Sequence, residues 1–283
     1  MRTFLKVWVG IGLISIGFGV ALLVIAFATG ARWEDTADFT SMNESYSGVE
    51  KINMDIDFGK VNIVKGDGFS VTAENILENE LESKVKDGVW NITEDSSGYG
   101  EIFGIRFPRK AIFWHWDDNF APDITVTIPE NFVAGDFTLK VGAGDVKADK
   151  IDALTGEFSV DACKIIIHHL NIRDHSQYKI GAGEMTLKDV KVKNVLVDCG
   201  IGNLEADGDI TGDSKVKCGI GNVDLNLDGK SDEYSYNIER GIGNIDINGE
   251  SYRHIDHKQI NNSNAENNLN LDCGIGNISV EFN

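Results

Sequence analysis

A single tetrapeptide, Gly-Ile-Gly-Asn, occurs four times in the last third of the chain: Gly200–Asn203, Gly219–Asn222, Gly241–Asn244 and Gly274–Asn277. Looser copies precede it at Gly142-Ala143-Gly144-Asp145, Asp161-Ala162-Cys163-Lys164 and Gly181-Ala182-Gly183-Glu184, and the starts are evenly spaced until a longer last step from Gly241 to Gly274. A period of about 20 residues excludes most globular architectures and points to stacked structural repeats. Aligned as a ladder, the copies show alternation. The residue before the motif runs Val141, Val160, Ile180, Cys199, Cys218, Arg240, Cys273, and the residue after it runs Val146, Ile165, Met185, Leu204, Val223, Ile245, Ile278. Alternation with period 2 continues outward, as in Val223-Asp224-Leu225-Asn226-Leu227, and is the signature of strands with one buried face. The glycines allow a tight bend between two strands. Coils of about 20 residues rising about 4.8 Å each would place every ladder position on its equivalent in the next coil.

The expected fold is all-β: a parallel β-solenoid, a single-stranded β-helix with coils of about 19–20 residues, preceded by one transmembrane helix. Burial of the motif isoleucines Ile201, Ile220, Ile242 and Ile275 is expected, as is an inward column of Cys199, Cys218 and Cys273. The thiols are read as packed and free, with a Cys199–Cys218 bridge as the alternative. Arg240 interrupts that column; an acid such as Glu239 or a slipped coil would accommodate it. Asn203, Asn222, Asn244 and Asn277 are expected to stack and exchange amide hydrogen bonds. Calcium is the minor alternative there, because hard cations favour several carboxylates over neutral amides. No other metal or cofactor is implied: the cysteines lack closely spaced pairs, His168-His169 reads as one inward and one outward residue on a strand, and His254/His257 reads as a solvated loop. The glycine motif is followed by a strand, not a helix, which argues against a dinucleotide loop.

At the other end, Val7–Thr29 is an uncharged run. As a helix it is long enough to cross a bilayer, for which about 20 apolar residues suffice. A cleaved signal peptide ending near Ala26-Phe27-Ala28 is the rival reading. Arg2 and Lys6 place the amino terminus in the cytoplasm and the remainder outside it. Arg2, Lys6 and Arg32 are the only charged side chains up to Trp33, so the acid excess of the chain, 45 Asp and Glu against 26 Lys and Arg, falls entirely on the rest. Such a charge disfavours nucleic acid and anionic lipid surfaces as partners. The resulting organisation is a cytoplasmic stub and membrane helix (1–32), a polar tether (33–48), an N-terminal β part (49–135) and the regular repeats (136–283). Within the third part, segment 98–122 interleaves aromatics with cations. Phe103, Arg106, Phe107, Arg109, Lys110, Phe113, Trp114 and Trp116 form a candidate contact surface for a membrane interface, a glycan or a protein; ordinary packing is the alternative.

The strand pair Ile52–Ile63, with its Phe58-Gly59 bend, the strand Thr125–Pro129 and the serial Gly-x-Gly-Asp/Asn coils resemble the bacterial putative-adhesin family of β-strand repeat proteins, a domain of unknown function. The resemblance covers about residues 49–283. It implies a β-solenoid ectodomain on the bacterial envelope, without an established catalytic activity. The function expected is that of a membrane-anchored, non-catalytic surface module that contacts a protein, glycan or envelope component or takes part in envelope sensing. A polysaccharide lyase or hydrolase is the alternative, since some β-helices are such enzymes.

Overall fold

The computed structural model describes residues 39–77, 79–95, 99–102, 105–108, 121–252 and 256–283. It divides the chain into two units, Met1–Asp38 and Phe39–Asn283; only the second is described. The helix expected at Val7–Thr29 lies outside the described residues, among which no helix is long and apolar enough to cross a membrane.

In chain order the strands are β1 (Phe39–Tyr46), β2 (Lys51–Gly66), β3 (Phe69–Leu77), β4 (Leu81–Lys86), β5 (Val89–Glu94), β6 (Tyr99–Ile102), β7 (Ile105–Pro108), β8 (Asp123–Pro129), β9 (Ala134–Ala148) and β10 (Ile151–Ile167). They continue as β11 (Leu170–Ile180), β12 (Glu184–Lys193), β13 (Val195–Thr211), β14 (Asp213–Leu227), β15 (Tyr234–Arg240), β16 (Asn244–Ile247), β17 (Glu250–Ser251), β18 (His257–Ile260) and β19 (Asn267–Phe282). All but the β6–β7 hairpin share one hydrogen-bonded network. Its spine is parallel and in register: β2 on β9, β9 on β10, β10 on β11 and β12, these on β13, and β13 on β14. The equivalent residues foreseen from the repeat are therefore direct neighbours, for example Cys199 with Cys218 and Leu204 with Val223. Such in-register stacking buries one side of each strand along the whole pile, which is what the alternating sequence requires.

Both ends of the pile depart from sequence order. β19 lies between β14 and the β15–β16 winding, so the last Gly-Ile-Gly-Asn copy sits between the second and third copies. The long step between the third and last copies is the chain travelling out, turning back through β17 and β18, and returning one layer inside. At the other end β2 is covered by β5 and β8, which lie on its outer side opposite β9. Outside these, β4 pairs with β5 and β3 with β8, both antiparallel. A β4–β5 hairpin turns at Asp87 and Gly88, both with positive φ, as Asp-Gly turns favour.

Within the tether expected at 33–48, Phe39–Tyr46 forms instead a strand, β1, antiparallel to β3; 33–38 lie outside the described residues. Tyr46 packs on the buried Trp90 with ring centroids 5.1 Å apart, and its hydroxyl donates to Ser83 O at 3.0 Å. This aromatic contact, with Phe69 set edge-on to Trp90 and to Phe132, closes the N-terminal end of the core. In the middle, Phe137, Phe158 and Tyr178 stack rung on rung at 5.9 and 5.1 Å. Tyr234, Tyr236 and Phe282 close the far end. The Asn-rich stretch 261–268 serves backbone there. Asn262 Nδ2 donates to Tyr234 O at 2.6 Å, and Asn267 Oδ1 accepts from Gly212 N at 2.8 Å.

Candidate interaction surface

Each repeat motif forms a corner between two arms of a winding, and the corners line up. Glycine is demanded at the third motif position by the approach of successive windings. A Cβ on Gly221 would lie 1.8 Å from Gly202 O, and one on Gly276 would lie 1.9 Å from Gly221 O; φ is +145° at Gly221 and +148° at Gly276. No side chain fits there, and the bend turns the second motif residue outward. The motif isoleucines are accordingly exposed, not buried as expected: Ile201 60%, Ile220 48%, Ile275 51% and Ile242 82%. Among the described residues only one other large apolar side chain, Leu154, is comparably exposed. The column runs Ile201, Ile220, Ile275, Ile242 along the pile. It continues at the other end through the exposed Ala182 and Ala162 to the half-buried Ala143 and Phe58.

Beside it stands an asparagine column. Asn277 Nδ2 donates to Asn222 Oδ1 at 3.0 Å, and Asn222 donates to Asn203 Oδ1 through both its side chain (3.3 Å) and its backbone N–H (3.2 Å). Asn244 is in register with Asn277 but leaves this exchange: its amide donates to Asp246 and accepts from Ser251 Oγ at 3.0 Å. The terminal winding has the β16–β17 hairpin on that side, which offers nearer partners.

On the inner side, Cys199, Cys218 and Cys273 are stacked, buried and free. A thiol–thiol hydrogen bond with Cys199, then burial, pushes Cys218 up to about 11; the same bond lowers Cys199. Burial, reinforced by Asp145 and Asp161, pushes Cys163 up to about 12. Shut away from solvent, these cysteines pack as small apolar side chains. Arg240 caps it in register with Cys273, its guanidinium donating to Gly243 O at 3.0 Å and to Asp256 Oδ1 at 3.3 Å. Asp256, from the excursion before β18, is thus an acid that pairs with it.

The aromatic segment leaves from this same corner line. β5 ends with Glu94 beside Ile56, and β8 begins with Asp123 beside Lys60, so the chain departs and returns where β2 has its bend at Asp57–Gly59. It re-enters at Pro122, whose carbonyl accepts from Lys60 N at 2.7 Å. Arg106 and Phe107 lie on β7, opposite Glu101 and Gly100 of β6; Phe103, Arg109, Lys110, Phe113, Trp114 and Trp116 lie outside the described residues.

Elsewhere the outward charges pair across windings. Lys51 lies 2.5 Å from Asp136, whose carboxyl is held below its ordinary range by hydrogen bonds from Lys51 and Thr155. Lys164 meets Glu184 at 3.0 Å, and His169 Nδ1 meets Asp189 at 2.7 Å.

Residues 49–227 and again 123–281 match the family described as Toastrack DUF4097. The chain belongs to the Toastrack DUF4097 family. Overlap of the two matches fits a Toastrack domain made of interchangeable windings, since either set can be laid on the middle of the pile. Solved structures similar to this Toastrack chain include a putative adhesin from Bacteroides fragilis, 14% identical, covering 86% of this chain and 97% of that one with a TM-score of 0.46. A putative cell adhesion protein from Clostridium sporogenes is 16% identical, with coverage of 87% and 100% and a TM-score of 0.35. A putative lipid binding protein from Parabacteroides distasonis is 15% identical, with coverage of 87% and 95% and a TM-score of 0.32. No curated protein matches the chain.

Proposed function

We propose that this Toastrack chain is a non-catalytic interaction module held outside the cytoplasm by an N-terminal membrane helix, adhesin-like in that it works by surface contact. The observation that carries this reading is the part of the corner line formed by the four Gly-Ile-Gly-Asn windings, an uncharged, exposed apolar column with amides beside it on an otherwise acidic domain. An apolar column kept in water is explained by a partner that covers it. The aromatic and cationic residues of 98–122 are a second candidate contact, because the chain departs for this segment after Glu94 and returns from it at Pro122 on the same line. Positive charge at Arg2 and Lys6, against acids after Trp33, orients the anchor.

The enzymatic alternative is disfavoured by the walls of the pile. Windings from 181 to 227 run corner to turn with no long loop to shape a groove, and the outward carboxylates are spread among lysines and not gathered. Protease treatment of intact cells and of cells with opened envelopes tests the placement; digestion from outside should remove the β domain and leave a short membrane-held stub. A panel of acidic and neutral polysaccharides tests catalysis. Turnover abolished by one outward carboxylate substitution would overturn the reading.

A further inference from the structure

The isoleucine column has a fixed pitch. Three of its four rungs, Ile201, Ile220 and Ile275, come from parallel strands in register and so stand about 4.8 Å apart; the fourth, Ile242, follows in the bend between β15 and β16, where its N–H donates to Gly274 O at 2.8 Å. Glycines flank every rung, so each isoleucine projects with bare backbone on both sides, as a comb and not a smooth patch. A comb meets rung for rung only a surface of the same spacing. Stacked parallel windings supply that spacing, and the chain is itself such a stack.

We propose that this comb is a self-association surface, and that its occupant is the comb of a second copy of the chain, related by a two-fold axis. The proposal deepens the interaction reading above by naming the partner of that same surface. A two-fold midway between Ile220 and Ile275 and across the pile sets Ile201 against Ile242 of the other copy and Ile220 against its Ile275, so one surface serves both partners. The asparagine column suits the same arrangement, because an amide both donates and accepts, whereas a carboxylate would meet only its like.

Charge selects this face. Two copies each carrying a net charge of −19 repel over most approaches, and the strip Gly-Ile-Gly-Asn is uncharged in all four windings. Its borders are not: Asp198, Lys217, Asp272 and Glu239 lie on one side, and Glu205, Asp224, Ser279 and Asp246 on the other. The two-fold places Lys217 opposite the second copy's Asp272, while Asp198 faces Glu239 at the ends. Association is therefore strengthened by salt, which screens the mainly acidic rims. Four rungs fall short of the roughly 800 Å² per partner of a standard stable interface, so the dimer is weak in dilute solution and favoured where copies are held at high local concentration. Other occupants fit less well. A lipid surface would bring the acidic rims against headgroups, and a sugar ring stacks on flat aromatic faces, not on branched aliphatic rungs.

The test uses the full chain in detergent, followed by sedimentation across a concentration series at low and high salt. Expected are a concentration-dependent dimer that tightens with salt, and a dissociation constant weakened about tenfold or more in the double variant Ile220→Asn/Ile275→Asn. Leu154→Asn, an exposed apolar change off the strip, should leave it unaltered. Thermal unfolding of each variant checks that the fold is intact. A chain that stays monomeric throughout, or a dimer indifferent to the double substitution, overturns the proposal. So does strip-dependent retention on neutral lipid vesicles or immobilised polysaccharide without self-association, which would hand the comb to another occupant while keeping the interaction reading.

Discussion

The corner glycines and the isoleucines beside them look alike in sequence and carry opposite burdens. At Gly221 an added methyl meets the Gly202 carbonyl of the next winding, with φ at +145°. Gly221→Ala should cost about 2–4 kcal/mol, from backbone strain together with overpacking against an immovable backbone atom. Gly249 also has a positive φ, +78°, but nothing lies within 4 Å of its would-be Cβ. Gly249→Ala should cost only about 1 kcal/mol. Denaturant titration of the two variants separates close approach from backbone conformation. Ile220→Asp places its carboxylate in water and should change stability by no more than about 0.5 kcal/mol. Val216→Asp, four residues earlier and fully buried, puts an unpaired charge into the core and should cost about 4 kcal/mol or more. Alternation placed Val216 correctly. It failed at Ile220 because the corner glycines reset the in–out count, and a branched aliphatic residue looks like core in any sequence.

At the scale of strands, the decisive element is β19. It is the last strand of the chain and yet an interior one, with β14 on one edge and β15 and β16 on the other. Deleting residues 267–283 should therefore do more than trim a terminus. It removes three ladders, those with β14, β15 and β16, strands the β15–β18 pairing, and exposes the β14 edge to other chains. The expected outcome is aggregation, read by light scattering of the purified chain; a soluble monomer with an unchanged unfolding midpoint would contradict the threading. The buried thiols and phenols set a second property of these strands. Cys163 is pushed up to about 12 by burial, and Tyr234 likewise to about 12, against ordinary values of 9.0 and 10.0. Both groups hold their protons more tightly when folded. The stability they contribute is fully present below their ordinary values and is lost as pH rises toward about 12. Stability measured in a pH series should hold to about pH 9 and decline above it, and Cys163→Ala should flatten the onset of that decline.

For the whole domain, the chain leaves one corner after Glu94 and returns at Pro122 without interrupting the pile, because the strands on either side of this segment remain in register with β2. Replacing 95–122 with a short glycine-containing bend should preserve the fold and raise stability by up to about 2 kcal/mol, since a shorter loop is less costly to close. Loss of cooperative unfolding would show instead that the segment belongs to the core. Repeat spacing and period-2 alternation alone determined the parallel pile, the register of its middle windings, the bend at Asp57–Gly59, the inward cysteine column and the stacking of Asn203, Asn222 and Asn277. These follow from local rules that each winding satisfies with its nearest equivalent. The tertiary structure decided what depends on being at an end or at a corner. It placed β19 inside the pile, drew Phe39–Tyr46 onto Trp90 as a strand, gave Arg240 a partner in Asp256, and turned four isoleucines into water. A repeat states which residues are equivalent; which side of a bend they face, and which winding comes last, are settled only when the backbone of one layer must clear the backbone of the next.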